Sequence, residues 1–100
     1  MSDTTLILLG AGSSTRFQSD VKKQWLYSGE MPLWLHVAER FEAMQAFFEI
    51  IVVSSKEDIG LMRHFADYTF VQGGESRQES LKHALAHVTT RYVLVSDIAR

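Results

Sequence analysis

Leu6-Ile7-Leu8-Leu9-Gly10-Ala11-Gly12-Ser13-Ser14-Thr15-Arg16-Phe17 is the stretch on which the fold turns. An unbroken apolar run reads as a strand buried on both faces, and the small residues that interrupt it read as a turn. Glycine, alanine and serine keep side chains out of the way, so successive backbone N–H groups in such a turn are free to face phosphate oxygens. Arg16 adds a planar cationic fork suited to the same geometry. The stretch therefore predicts a strand followed by a loop that cradles a nucleotide triphosphate.

Working outward, the chain repeats the strand pattern three more times. Ile50–Val53 is a second buried-type strand ending in Ser54-Ser55. Tyr68–Val71 is a shorter third strand, and Tyr92–Val95 a fourth that runs into Ser96-Asp97-Ile98-Ala99-Arg100. Helical stripes lie between them. Leu33, Val37, Phe41 and Met44 recur at spacings of four, four and three, with Pro32 at the first helical position. Ser55 and Asp58 have N-cap spacing, and Ile59, Met62 and Phe65, with Leu61, give that helix an apolar side. Ser76 and Glu79 match a capping box ahead of Leu81, Ala84, Leu85 and Val88. Residues 18–30 read as an ordered excursion over the sheet edge with a short helical turn.

Strands alternating with helices predict an α/β fold, a mainly parallel sheet with helices on both faces. In the doubly wound order 3-2-1-4 the first and fourth strands are neighbours, and the crevice beyond their carboxyl ends is the ligand site. That order brings Gly10–Arg16 beside Asp97. One hundred residues suit one domain or part of one, and the fourth strand has no helix after it to cover its face. The expectation is that residues 1–100 form the N-terminal, nucleotide-binding part of a single larger domain.

Composition narrows the class. The chain is 46% apolar and 22% charged, with formal net charge −2, so it is globular and lacks the basic field that drives nucleic-acid binding. It has no cysteine, which removes disulfides, thiolate metal sites and cysteine nucleophiles. No apolar run approaches the roughly 18 residues of a membrane span, and Asp3 rather than a basic segment precedes Leu6. A cytoplasmic protein without nucleic-acid or membrane partners is expected.

Three nucleotide loops compete for residues 10–17 with a plain strand-to-loop turn. A Walker A loop requires Gly-Lys, and the chain has no such pair. A dinucleotide fingerprint requires a third glycine where Thr15 stands and an acidic residue where the second strand ends in Ser54-Ser55. The third pattern is the nucleotidyltransferase signature, small-small-Gly with a following arginine and a later lysine. His83 and His87 are four apart on one predicted helix, a spacing that binds zinc elsewhere. With no cysteine or HExxH glutamate beside them they read as solvated. Trp25 and Trp34 lack interleaved basic residues and read as packing groups.

Four stretches in order resemble the 2-C-methyl-D-erythritol 4-phosphate cytidylyltransferases of non-mevalonate isoprenoid synthesis. They are Gly-Ala-Gly-Ser-Ser-Thr-Arg-Phe at 10–17, Lys-Lys-Gln at 22–24, Gly-Gly-Glu-Ser-Arg-Gln-Glu-Ser at 73–80 and Val-Ser-Asp-Ile-Ala-Arg at 95–100. The likeness covers the whole chain but only the first half of that family's domain. Gly10 stands where the family usually has alanine, Ser14 where it has a second glycine, Lys22 where it has proline, and Ser96 and Ile98 replace histidine and alanine. Pro-Leu-Trp-Leu at 32–35 is similar to the bifunctional version, fused to a cyclodiphosphate synthase.

The resemblance implies a Rossmann-like nucleotidyltransferase that moves a cytidylyl group from CTP to methylerythritol phosphate. It implies Arg16 and Lys23 as catalytic residues. Gly10, Ala11, Gly12, Ser13, Ser14, Gly74, Glu75, Ser80, Asp97 and Arg100 are implied as nucleotide- and substrate-binding. Mg²⁺ is implied as cofactor, held mainly by the CTP phosphates with Asp97 as its protein ligand, and the full-length form as a homodimer. Other readings of the residues are a nucleotidyltransferase for another sugar or polyol phosphate, and a nucleotide-binding module without catalysis. The 100 residues alone are expected to be inactive.

Removing one preorganised charge-stabilising donor typically costs about 2.7–4 kcal/mol of transition-state stabilisation. Arg16→Ala or Lys23→Ala in the full-length protein is therefore expected to lower turnover by at least about tenfold while leaving it folded. Steady-state pyrophosphate release alongside circular dichroism checks this, and wild-type turnover in either folded variant contradicts it.

Overall fold

The computed structural model describes residues 3–10, 27–28 and 31–98. In chain order these form β1 (Thr4–Leu9), β2 (Tyr27–Ser28), β3 (Met31–Pro32), α1 (Leu33–Ala43), β4 (Glu49–Ser54), α2 (Lys56–Met62), β5 (Thr69–Gln72), α3 (Arg77–Leu85) and β6 (Tyr92–Asp97). Four strands make one parallel sheet in the order β5-β4-β1-β6, which is the 3-2-1-4 order expected from the sequence.

The two central strands are apolar on both sides because both sides are covered. Leu6 and Leu8 of β1 and Ile50 and Val52 of β4 point to the face carrying Trp34, Leu35 and Ala38 of α1 and Met62 of α2. Ile7, Leu9, Ile51 and Val53 point the other way, against Ala84 of α3 and the half-buried Leu81 and Val88. In-register pairs such as Leu6↔Ile50 and Ile7↔Ile51 keep each alternating set on its own face. Among the described residues β6 pairs with β1 alone, and its Tyr92, Val93 and Leu94 are exposed. Its start is pinned to β1 through Tyr92 N–H donating to the Asp3 carbonyl at 3.0 Å and a Thr5–Thr90 hydroxyl bond at 2.6 Å.

Local signals hold where hydrogen-bonding chemistry sets them. Ser55 Oγ accepts from Asp58 N–H at 3.2 Å to start α2, and Ser76 Oγ accepts from Glu79 N–H at 3.1 Å to start α3. The face of α1 differs from the expected stripe. Trp34, Leu35 and Ala38 are its buried residues, Val37 and Phe41 are half-buried, and Met44 is 64% exposed. Pro32 is the N-cap rather than the first helical residue, with φ −65° and ψ 154°. Trp34 takes the inward face because an indole removes more apolar area from water than Leu33 or Met44 would. Leu61 and Leu85, both placed on inward stripes, are also exposed. At the end of the 18–30 excursion Tyr27↔Pro32 and Ser28↔Met31 form an antiparallel pair, and the expected helical turn at 18–26 lies outside the described residues.

Trp34 is fully buried and packs edge-on against Phe65 at 6.0 Å and Phe70 at 6.1 Å. Trp34→Ala is expected to destabilise the fold by about 3–5 kcal/mol. Met44→Ala is expected to stay within about 0.5 kcal/mol. Urea denaturation of the two variants measures the contrast, and similar midpoints contradict this placement of the core.

Tyr68 titrates far from its ordinary value. Partial burial, a hydrogen bond donated to Glu42 Oε1 at 2.9 Å, and the charges of Glu42 and Glu39 together push its phenol well above the usual tyrosine range. The native state thus keeps a proton that the unfolded chain releases near pH ~10. Stability from this group is intact below that pH and falls as pH rises above it. Tyr68→Phe is expected to flatten the alkaline limb of the stability profile, measured by denaturation across that range.

Candidate active site

All four sheet strands are parallel, so their carboxyl ends share one edge of the molecule. The connections through α1 and α2 lead from β1 to β4 and β5 on one face, and α3 returns over the other face to β6. The switch point therefore lies between β1 and β6, where such folds bind ligands. Leu9 pairs with Asp97 across it, and Ile98 N–H donates to the Leu9 carbonyl at 3.1 Å. Gly10 and Asp97 are consequently brought together, as the sequence predicts. Gly10 N–H donates to the Val53 carbonyl at 2.7 Å, so this amide extends the sheet ladder and is not one of those turned toward a ligand.

The second wall of the crevice is the turn between β5 and α3. Gly73 N–H donates to the Ser54 carbonyl at 2.9 Å, carrying the ladder one residue beyond β5. Two side chains of α3 and its N-cap serine then fix this segment. Ser80 Oγ accepts from Gly74 N–H at 3.1 Å, Glu79 Oε1 from Glu75 N–H at 3.0 Å, and Ser76 closes the cap described above. A Cβ on Gly74 would lie 2.5 Å from Glu79 Cβ, so only glycine fits against the helix there. Ser80 is 1% exposed and Glu75 is exposed. Ser80 therefore shapes the turn through the Gly74 amide, while Glu75 lies on the open side.

The structure adds one residue that the sequence reading left outside the site. The Arg77 guanidinium grips Asp97 with two donors, Nε to Oδ1 at 3.3 Å and a terminal nitrogen to Oδ2 at 3.4 Å. Arg77 is the first residue of α3, where the helix dipole disfavours a cation. That mismatch was the available signal, since nothing in the spacing of residues 77 and 97 announces a contact. Ala11, Gly12, Ser13, Ser14, Arg16, Lys23 and Arg100 lie outside the described residues. His83 and His87 are exposed, and the His83 ring Nδ1 bonds with the Gln72 carbonyl at 3.0 Å. Among the described residues no helix is long and apolar enough to cross a membrane.

Known proteins resemble this chain in sequence and fold. The model of the family "IspD: 2-C-methyl-D-erythritol 4-phosphate cytidylyltransferase" matches residues 4–100. A bifunctional enzyme IspD/IspF of Sulfurovum sp. is 80% identical over 100 residues, all of this chain and 27% of the relative. One from Sulfurimonas denitrificans is 60% identical over 96 residues, 96% of this chain and 25% of the relative. The chain thus spans about a quarter of the length of these curated relatives. The solved bifunctional IspDF of Campylobacter jejuni superposes with a TM-score of 0.85 at 43% identity, over 95% of this chain and 26% of that one. A 4-diphosphocytidyl-2C-methyl-D-erythritol synthase from Anaerococcus prevotii shares the fold at 20% identity, with a TM-score of 0.73 over 94% and 42% of the two chains. With the family pattern running from β1 to the end of the chain on the matching parallel sheet, the chain belongs to the 2-C-methyl-D-erythritol 4-phosphate cytidylyltransferase (IspD) family.

Proposed function

We propose that residues 1–100 are the nucleotide-binding part of an enzyme that transfers a cytidylyl group from CTP to 2-C-methyl-D-erythritol 4-phosphate. The products are 4-diphosphocytidyl-2-C-methyl-D-erythritol and pyrophosphate. Family membership supports the reaction, and the observation that carries the site is the meeting of Gly10, the Gly74 turn and Asp97 at one sheet edge.

In the reaction a phosphate oxygen of the acceptor attacks the α-phosphorus of CTP in line as pyrophosphate departs. The nucleophile is already anionic, so the protein needs no general base or covalent intermediate. Its work is to align the two phosphates and neutralise the charge that builds up on the crowded phosphorus. That work falls to Arg16 and Lys23, with the small residues of 10–14 letting the triphosphate approach the backbone. The fixed turn at Gly74 and Glu75 receives the cytosine, where close backbone and few side chains suit a small base. Arg100 lies on the acceptor side of this scheme.

A divalent cation fits the donor set, because each Asp97 oxygen keeps a lone pair beyond the one that Arg77 uses and magnesium takes most of its other ligands from phosphate. Bound there, it would offset triphosphate charge. The same reading includes a homodimer, a cytoplasmic setting and a place at the cytidylyltransferase end of a bifunctional chain.

Full-length protein incubated with CTP, Mg²⁺ and methylerythritol 4-phosphate is expected to release pyrophosphate, with UTP a poor substitute. Release only with other sugar phosphates, or CTP binding without release, overturns the assignment. Gly74→Ala is expected to raise KM for CTP on the order of tenfold, since a displaced turn misplaces the base.

A further inference from the structure

The two walls of the crevice are tied together by one ion pair. Arg77 opens α3 directly behind the Gly74 turn, whereas Asp97 ends β6 on the far side of β1. Their contact is two-pronged, so it fixes the plane of the carboxylate as well as its distance. The Gly74 turn is held by Ser80 and Glu79 from its own helix, and Asp97 stands opposite Leu9 in the β1–β6 ladder. Arg77 is itself 56% exposed while Asp97 is 19% exposed, so the guanidinium lies over the carboxylate from the solvent side. A cation at the first position of a helix is unfavourable by itself, and the carboxylate offsets that.

We propose that Arg77 is a positioning residue for nucleotide binding, acting through Asp97. It orients the Asp97 carboxylate toward the crevice and sets the distance between the β6 end and the base-binding turn. This rests on the CTP reading above and adds to it a residue that touches neither base nor phosphate.

The test is steady-state kinetics of full-length protein with CTP and methylerythritol 4-phosphate, comparing wild type, Arg77→Met, Arg77→Lys, Asp97→Ala and the Arg77→Met/Asp97→Ala double variant. A partly exposed pair predicts a KM for CTP raised about fivefold in Arg77→Met, with kcat falling less than KM rises. Arg77→Lys, which keeps the charge and loses the fork, is expected to fall between wild type and Arg77→Met. Adding Arg77→Met to Asp97→Ala is expected to change KM no further, because the partner through which it acts is gone.

An unchanged KM in Arg77→Met overturns the proposal, as does an Arg77→Met loss that persists in full on the Asp97→Ala background. Melting temperatures show which variants are folded. Should Arg77→Met be unfolded, Arg77→Gln, which keeps most of the stem and drops the charge, is read in its place by the same criteria. A wild type that releases no pyrophosphate overturns the function and this inference together. An active wild type with an indifferent Arg77 overturns this inference alone.

Discussion

The structure depends on the burial of β1 and β4 from both sides. A strand with apolar residues at every position satisfies them only inside a sheet covered above and below, and parallel pairing with helical crossovers supplies that cover. Leu6, Ile7, Leu8, Ile51, Val52 and Val53 are all inaccessible to water. The remaining geometry follows from this constraint. Parallel strands finish at the same edge, right-handed crossovers put the strand-order reversal between β1 and β6, and Gly10 and Asp97 are left adjacent. The site is a by-product of how the core is enclosed.

What the core leaves undetermined is the shape of the connecting turns, and there short polar side chains decide. The turn before α3 shows how few are needed. One serine caps the helix, one glutamate and a second serine hold the two amides upstream, and a glycine makes room for the helix. The Ser76 bond satisfies a donor of the first helical turn, and the other two satisfy donors of the turn before it. The helix end and the Gly74 turn are therefore one rigid unit, and Arg77 extends that unit across to β6.

Much of this was legible in the sequence because the relevant signals are local. The runs at 6–9 and 50–53 gave the buried strands, and Ser55 and Ser76 marked helix starts at the right residues. The inward face of α1 was misassigned because a stripe at Leu33, Val37, Phe41 and Met44 and one at Trp34, Ala38 and Phe41 obey the same helical period. Only the available space on the sheet chooses between them, and it favoured the indole. The β2–β3 pair was not legible, since two-residue strands carry no periodicity. In the site, resemblance named Gly74, Ser80 and Asp97, but not that Ser80 faces inward to hold Gly74 or that Asp97 is gripped from α3. Those facts belong to side-chain directions between segments distant in sequence.

The pairing of β1 with β6 also has a kinetic side. It joins β1 to the strand farthest from it in the described sequence, with Thr5 and Thr90 bonded across 85 positions. Contacts this distant in sequence carry the largest loop-closure cost and slow the search for the native topology. On a ribosome the first strand emerges early and must wait, one edge bare, until β6 has been made. The crevice between them therefore assembles only after β4 and β5, with their helices, have left the ribosome.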